Sequence, residues 1–199
     1  MCKTIYCICG KTASGKDTIA EYLSNALDIP QIVSFTTRPP RPGEESQNRH
    51  IFITDEECDK MLSDQKIAAY TKIGDYRYFT TVNQIEAIFE TCDDMIYVID
   101  PNGMASLINA LQNTGIRTVV IYIKADDYDI RRQRYLERGG TVESFIERNI
   151  SERDQFELLQ KFAMFDYAVT NDDLFTAEWV AESIVMAEQR LSGSRGTAT

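Results

Sequence analysis

One segment near the N-terminus limits what this chain can fold into. Thr4-Ile5-Tyr6-Cys7-Ile8-Cys9 is apolar enough to be a buried strand. It runs into Gly10-Lys11-Thr12-Ala13-Ser14-Gly15-Lys16-Asp17-Thr18, and beyond it Ile19, Leu23, Ala26 and Leu27 fall at helical spacing. This order predicts a buried strand whose end turns tightly into a helix N-terminus. The glycines allow successive backbone N–H groups to point inward, and the helix end adds partial positive charge, so the loop suits an anion. Lys16 adds a full charge that fits the β- and γ-phosphates of a nucleotide such as ATP. Ala13, Ser14 and Gly15 complete the candidate nucleotide-binding loop. Lys16 is followed by Asp17 and then Thr18. Thr18 is the candidate hydroxyl for phosphate or metal. Asp17 is read as a helix cap, with a water-mediated hold on Mg²⁺ as the alternative.

Further strands are expected at 31–33, 51–53, within 70–82, and at 95–99, 118–123 and 167–170. Thr54-Asp55-Glu56-Glu57 has the form of a capping box that opens a helix. Helices are also expected at 83–90 and 104–112, and on either side of Gly139-Gly140. A final helix carries Val180, Ile184, Ala187 and Leu191 on one face. Residues 34–45 are rich in proline and turn residues. Strands apolar throughout and alternating with helices indicate a parallel sheet covered on both faces, an α/β fold. The predicted organisation is one domain. Its core is 1–33, 83–125 and 153–191, with a mixed insertion at 34–82. A second, helical and arginine-rich insertion covers 126–152, and a small polar tail, 192–199, is expected to be disordered. Asp100 closes an apolar strand, which suits either a turn cap or an acid that orients Mg²⁺ through water.

Charge narrows the ligands. The net charge of −10 disfavours general nucleic-acid binding, which depends on Lys and Arg contacts to phosphates. Yet Arg38, Arg41 and Arg49 are clustered, as are Arg131, Arg132, Arg134, Arg138, Arg148 and Arg153. Arginine clusters on an acidic chain fit small, highly charged anions, or else solvated helix faces. The chain has no apolar run approaching the ~18 residues of a membrane span, and no signal peptide is read at its start. The five cysteines show no Cys-x-x-Cys spacing and only one histidine is present, so reduced thiols, no zinc site and a cytoplasmic setting are expected.

After the glycine loop comes Ser34-Phe35-Thr36-Thr37-Arg38-Pro39-Pro40-Arg41-Pro42-Gly43-Glu44. In combination, the two resemble guanylate kinases. The likeness continues through Phe52, Tyr78, Asp100, the second arginine cluster and Asn171-Asp172-Asp173-Leu174. The resemblance implies a P-loop kinase, a nucleoside-monophosphate kinase that uses ATP and Mg²⁺ to phosphorylate GMP or dGMP, with 34–82 as its acceptor-binding insertion and 126–152 as its helical lid. It implies that Arg38, Arg41 and Tyr78 hold the acceptor phosphate. It places Arg134, Arg138 and Arg148 at the transferring phosphoryl group, and Asn171 near adenine. Ser34 and Thr80 match guanine-reading positions, and His50 stands where the family has a phosphate-binding tyrosine. Ala69 and Val98 stand where the family reads guanine with acids. The Gly-Lys-Asp loop and Arg49-His50 are also similar to ribose 1,5-bisphosphate phosphokinases, so another nucleotide or that sugar is the alternative acceptor. A non-catalytic binding module is a third reading, against which intact Gly10, Gly15, Lys16 and Arg38 argue.

Overall fold

The computed structural model describes residues 3–40, 44 and 50–195. The elements in chain order are β1 (Thr4–Cys9), α1 (Lys16–Leu27), β2 (Ser34–Thr36), β3 (His50–Phe52), α2 (Asp55–Asp64), β4 (Ile67–Ile73), β5 (Tyr76–Thr81) and α3 (Val82–Phe89). They continue with β6 (Asp94–Val98), α4 (Pro101–Ala110), β7 (Arg117–Lys124), α5 (Tyr128–Glu137), α6 (Val142–Lys161), β8 (Tyr167–Thr170) and α7 (Leu174–Arg195). One sheet has the order β6-β1-β7-β8 with every pairing parallel. The other has the order β3-β2-β5-β4 and is mixed, β2 pairing in parallel with β3 and antiparallel with β5.

The period-2 alternation of the strands divides the parallel sheet's two faces. Ile5, Cys7 and Cys9, with Met95, Tyr97, Val120 and Tyr122, face one core, where Ile85, Met104 and Leu159 cover them. Tyr6, Ile8, Ile96, Ile121 and Val169 face the other, beneath Ile19 and Leu23 of α1 and Ala177, Ala181 and Val185 of α7. The helix after β1 therefore lies on one face, and the helix after the neighbouring β6 lies on the other. Connections that diverge in this way leave a crevice at the strands' C-terminal ends, and both Gly10 and Asp100 are there.

Several elements differ from the sequence expectation. The strand expected at 31–33 is a single bridge, Gln31 to Ile96, and the regular strand lies at 34–36, inside the segment read as turns. Helix α4 begins earlier than the apolar spacing suggested, with Pro101 in its first turn, because Asp100 caps it from outside. Helix α7 buries Ala177, Ala181, Val185 and Glu188, while Ala187 and Leu191 are exposed. The buried face is rotated because small residues let α7 approach the sheet, and because Glu188 accepts hydrogen bonds from Arg117 and, at 2.6 Å, from Tyr167. The same helix extends to Arg195, into the stretch read as a tail.

The capping box at Thr54 formed as its residue types dictate. The Thr54 hydroxyl accepts from the Glu57 N–H at 3.1 Å, and the Glu57 carboxylate accepts from the Thr54 N–H at 2.8 Å. Thr54→Ala is therefore expected to lower the unfolding free energy by about 1 kcal/mol, measured by urea denaturation. An unchanged midpoint would show that α2 is held by its packing alone.

Candidate active site

The glycine loop is shaped by two left-handed residues. Gly15, at φ +89, is the N-cap of α1 and offers no side-chain cap; Ala13 also has a positive φ, of 62. A left-handed alanine costs about 1 kcal/mol or more, so the surrounding contacts must hold it in place. A Cβ on Gly15 would lie 2.1 Å from the Asn171 side-chain nitrogen, and a Cβ on Gly10 would lie 2.4 Å from the Ser14 Oγ. The loop is thus closed from behind. Asn171 Nδ2 donates to the Ser14 carbonyl at 2.7 Å, and both Arg134 Nη atoms donate to the Asn171 carbonyl at 3.2 Å. The helical segment at 126–152 and its continuation grip the same loop. The Glu152 carboxylate accepts from the Thr12 N–H at 2.7 Å and from the Thr12 hydroxyl. The buried Arg131 guanidinium donates to Asn149 at 2.8 Å and to the Thr12 carbonyl at 3.3 Å, against the rings of Tyr128 and Phe145.

In front of the loop is a cavity of about 190 Å³ whose wall includes Lys16, Arg38, His50, Tyr78, Arg138 and Arg148. Lys16 Nζ is 3.3 Å from the Asp17 carboxylate. On the same cavity wall, Arg38 is 8% exposed and paired with Glu44 at 2.8 Å, with its guanidinium over the Phe52 ring. His50 packs edge-on to Tyr78, with ring centroids 5.7 Å apart. Burial, and next the Arg38 charge, push the His50 pKa below its usual 6.5, so the imidazole is neutral at pH 7. Asp100 closes the cavity where β6 meets α4. Its Oδ1 accepts from the Asn102 N–H at 2.9 Å, the Gly103 N–H at 3.2 Å and the Thr71 hydroxyl at 3.2 Å. Burial raises the Asp100 pKa, and these donors oppose the rise.

Most of the residues singled out from sequence converge here. Gly10, Ala13, Lys16, Asp17, Ser34, Arg38, His50, Tyr78, Asp100, Arg138 and Arg148 all line the cavity, as do Ala69 and Val98. Asp100 caps α4, the first of its two alternative roles, and also lines the cavity. Asp17 is not the cap; Gly15 holds that position and the Asp17 carboxylate lies beside Lys16. Thr18 is exposed and off the cavity wall, one residue further around the helix. Asn171 is 2% exposed behind the loop, and Arg134 is held against its carbonyl, so neither lines the cavity. Thr80 is fully buried, with its hydroxyl 2.7 Å from that of Tyr97. Arg41 lies outside the described residues. Glu152 and Tyr97 were not singled out from sequence. The first falls among exposed helix charges and the second is hidden in an apolar strand run.

A family model for guanylate kinase matches residues 2–188. The chain is 32% identical to a guanylate kinase of Neisseria gonorrhoeae, covering 96% of this chain and 90% of that one. The chain belongs to the guanylate kinase family. A guanylate kinase of Thermotoga maritima is 31% identical over 93% of this chain and 87% of its own length. Among solved structures, the family's fold is matched in the crystal structure of guanylate kinase from Anaplasma phagocytophilum, with a TM-score of 0.70 at 21% identity. That match covers 94% of this chain and 86% of the other. Within this family fold, the Glu152 contact places a carboxylate on an amide of the glycine loop.

A triphosphate entering the loop meets the Glu152 carboxylate as a like charge. Glu152→Gln keeps an acceptor for the Thr12 N–H and removes the charge. The affinity for a non-hydrolysable ATP analogue should therefore rise a few-fold, about 1 kcal/mol or less, by titration calorimetry. Weaker binding would mean that the loop needs the carboxylate to hold its shape.

Proposed function

We propose that this chain is an ATP-dependent nucleoside-monophosphate kinase that transfers the γ-phosphoryl group of ATP to GMP or dGMP, giving ADP and GDP or dGDP. The observation that carries this is the meeting, in one cavity, of Lys16 on the glycine loop with Arg38, His50 and Tyr78 of the second sheet and its flank, in a chain of the guanylate kinase family. One side is built for a triphosphate and the other for a monophosphate. Family membership favours neither a sugar bisphosphate acceptor nor a non-catalytic module.

The residues divide the work by position. The amides of Ala13, Gly15, Lys16 and Asp17 at the N-terminal end of α1 receive the β-phosphate, while the Ser14 N–H closes the loop on the Lys11 carbonyl at 3.0 Å, and Lys16 bridges towards the γ-phosphate. Arg38 and Tyr78 hold the acceptor phosphate, with neutral His50 beside them. Arg138, at the C-terminal end of α5, and Arg148, on α6, approach from the 126–152 segment and balance the charge that spreads over the transferring group. An acceptor phosphate oxygen attacks the γ-phosphorus in line, the bond to the β–γ bridging oxygen breaks, and ADP leaves. Mg²⁺, when bound, would supply further charge neutralisation to the triphosphate. Asp17 and Asp100, the carboxylates nearest Lys16 and the β6 end, suit its water shell, and the close packing behind Gly10 and Gly15 suits a loop wrapped on phosphate.

Two measurements check this division. Lys16→Ala should lower kcat by roughly 10²–10³ with an unchanged thermal unfolding transition; near-normal turnover of ATP with GMP would remove the loop from the reaction. Arg148→Ala and Arg138→Ala should each lower kcat by more than they raise the KM for ATP, since their contacts tighten on the transferring group. A raised KM with unchanged kcat would make them simple binding residues.

A further inference from the structure

The end of the cavity beyond Arg38 is floored by hydroxyls. Ser34 on β2 and Tyr97 on β6 line it with Ala69 and Val98, and Thr80 on β5 lies directly behind. Ala69 and Thr80 are register partners on adjacent strands, so their side chains share one face of the mixed sheet. The Ser34 hydroxyl donates to the Tyr97 oxygen at 3.4 Å, and the Thr80 and Tyr97 oxygens are 2.7 Å apart.

The direction of the second bond follows from burial. Thr80 is fully buried, and among the described residues its hydroxyl has the Tyr97 oxygen as its partner. A buried hydroxyl proton needs an acceptor, so Thr80 donates to Tyr97, as Ser34 does. The Tyr97 oxygen then accepts twice and its own proton is left for the cavity, as a donor only. Burial raises the Tyr97 pKa to about 12, so the hydroxyl keeps that proton at any working pH. Each carboxylate on the cavity wall already has a partner: Asp17 has Lys16, Glu44 has Arg38, Asp100 has the start of α4 through its Oδ1, and Glu152 has Thr12.

We propose that Tyr97 is the base-reading residue of the acceptor site, donating its hydroxyl proton to the 6-oxo group of a purine, so that the acceptor class is 6-oxopurine 5′-monophosphates, hypoxanthine as well as guanine. This rests on the phosphotransfer function above and deepens it. Guanine and hypoxanthine present the same carbonyl at position 6, whereas adenine presents an amine, which cannot accept. The two 6-oxopurines differ in the 2-amino group, a donor that needs an acceptor. The Ala69 methyl and the Val98 side chain on this wall offer none. Ser34 and Thr80 act through Tyr97 and are positioning residues.

The test measures kcat/KM for GMP, IMP and AMP with ATP held saturating. The wild-type protein should use GMP and IMP within about tenfold of each other, and both more than about tenfold better than AMP. Tyr97→Phe should lower kcat/KM for GMP and IMP together, by roughly tenfold to a hundredfold and mainly through KM, narrowing their lead over AMP. Circular dichroism and thermal unfolding check that the nearly isosteric variant folds, and the wild-type comparison stands without it. A preference for GMP over IMP above tenfold overturns the proposal, because some carboxylate then reads the 2-amino group. So does an unchanged GMP-to-AMP ratio in a folded Tyr97→Phe protein. Turnover of GMP with either result leaves the phosphotransfer reading intact; no turnover with any nucleotide overturns both.

Discussion

The structure depends on a chain reversal at Gly15. The end of a fully buried strand must turn into the first turn of a helix within a few residues, with the carbonyls of Thr12 and Ser14 turned back into the protein. That requires a left-handed residue with no side chain, since a Cβ there would occupy the place of the Asn171 amide. It also requires partners for the carbonyls that face inward. Asn171, at the end of β8, takes the carbonyl of Ser14, and Arg131, on α5, takes that of Thr12. Segments more than a hundred residues away in the chain therefore fix the geometry of the loop. The shape of the glycine loop, the placement of α5 and the packing of the sheet's C-terminal edge become one problem.

The acceptor side answers a different constraint. It is a sheet whose period-2 alternation presents Tyr78 and Thr80 from β5, Ser34 and Thr36 from β2, and Ala69 and Thr71 from β4 on one face. The face is graded in chemistry, with charge and aromatic rings near Arg38 and His50, and hydroxyls against methyl groups near Tyr97. A nucleoside monophosphate has the same grading, an anion at one end and a flat ring with a few polar groups at the other. The gap between this sheet and the glycine loop sets the distance across which a phosphoryl group is passed.

How far this was legible in the sequence varied with how local the determining physics is. The loop and α1 were readable because strand, glycines and helix lie in succession. The Thr54 capping box was readable for the same reason. Strand β2 was not, because prolines and Gly43 dominate its surroundings and its pairing with β5 is long-range. The buried face of α7 was misplaced because a charged residue, Glu188, is on it, satisfied by Arg117 and Tyr167 from other strands. In the site, the glycines, Lys16 and Arg38 carried a signal of residue type and spacing, and Tyr78 was reached through the family resemblance. Tyr97 and Glu152 carried none. An apolar strand hides a tyrosine, a charged helix hides a glutamate, and only the fold shows which hydroxyl and which amide they meet.

The central claim is that phosphorus moves from ATP to the phosphate of GMP and not to water. Phosphorus-31 NMR of the protein with ATP, GMP and Mg²⁺ tests it most directly, because donor, acceptor and products are seen together. The account predicts that the GMP resonance declines in step with the γ-resonance of ATP, while the α- and β-resonances of GDP and ADP grow in equal amounts. Release of inorganic phosphate with GMP unchanged, or no change in a folded protein, would contradict it.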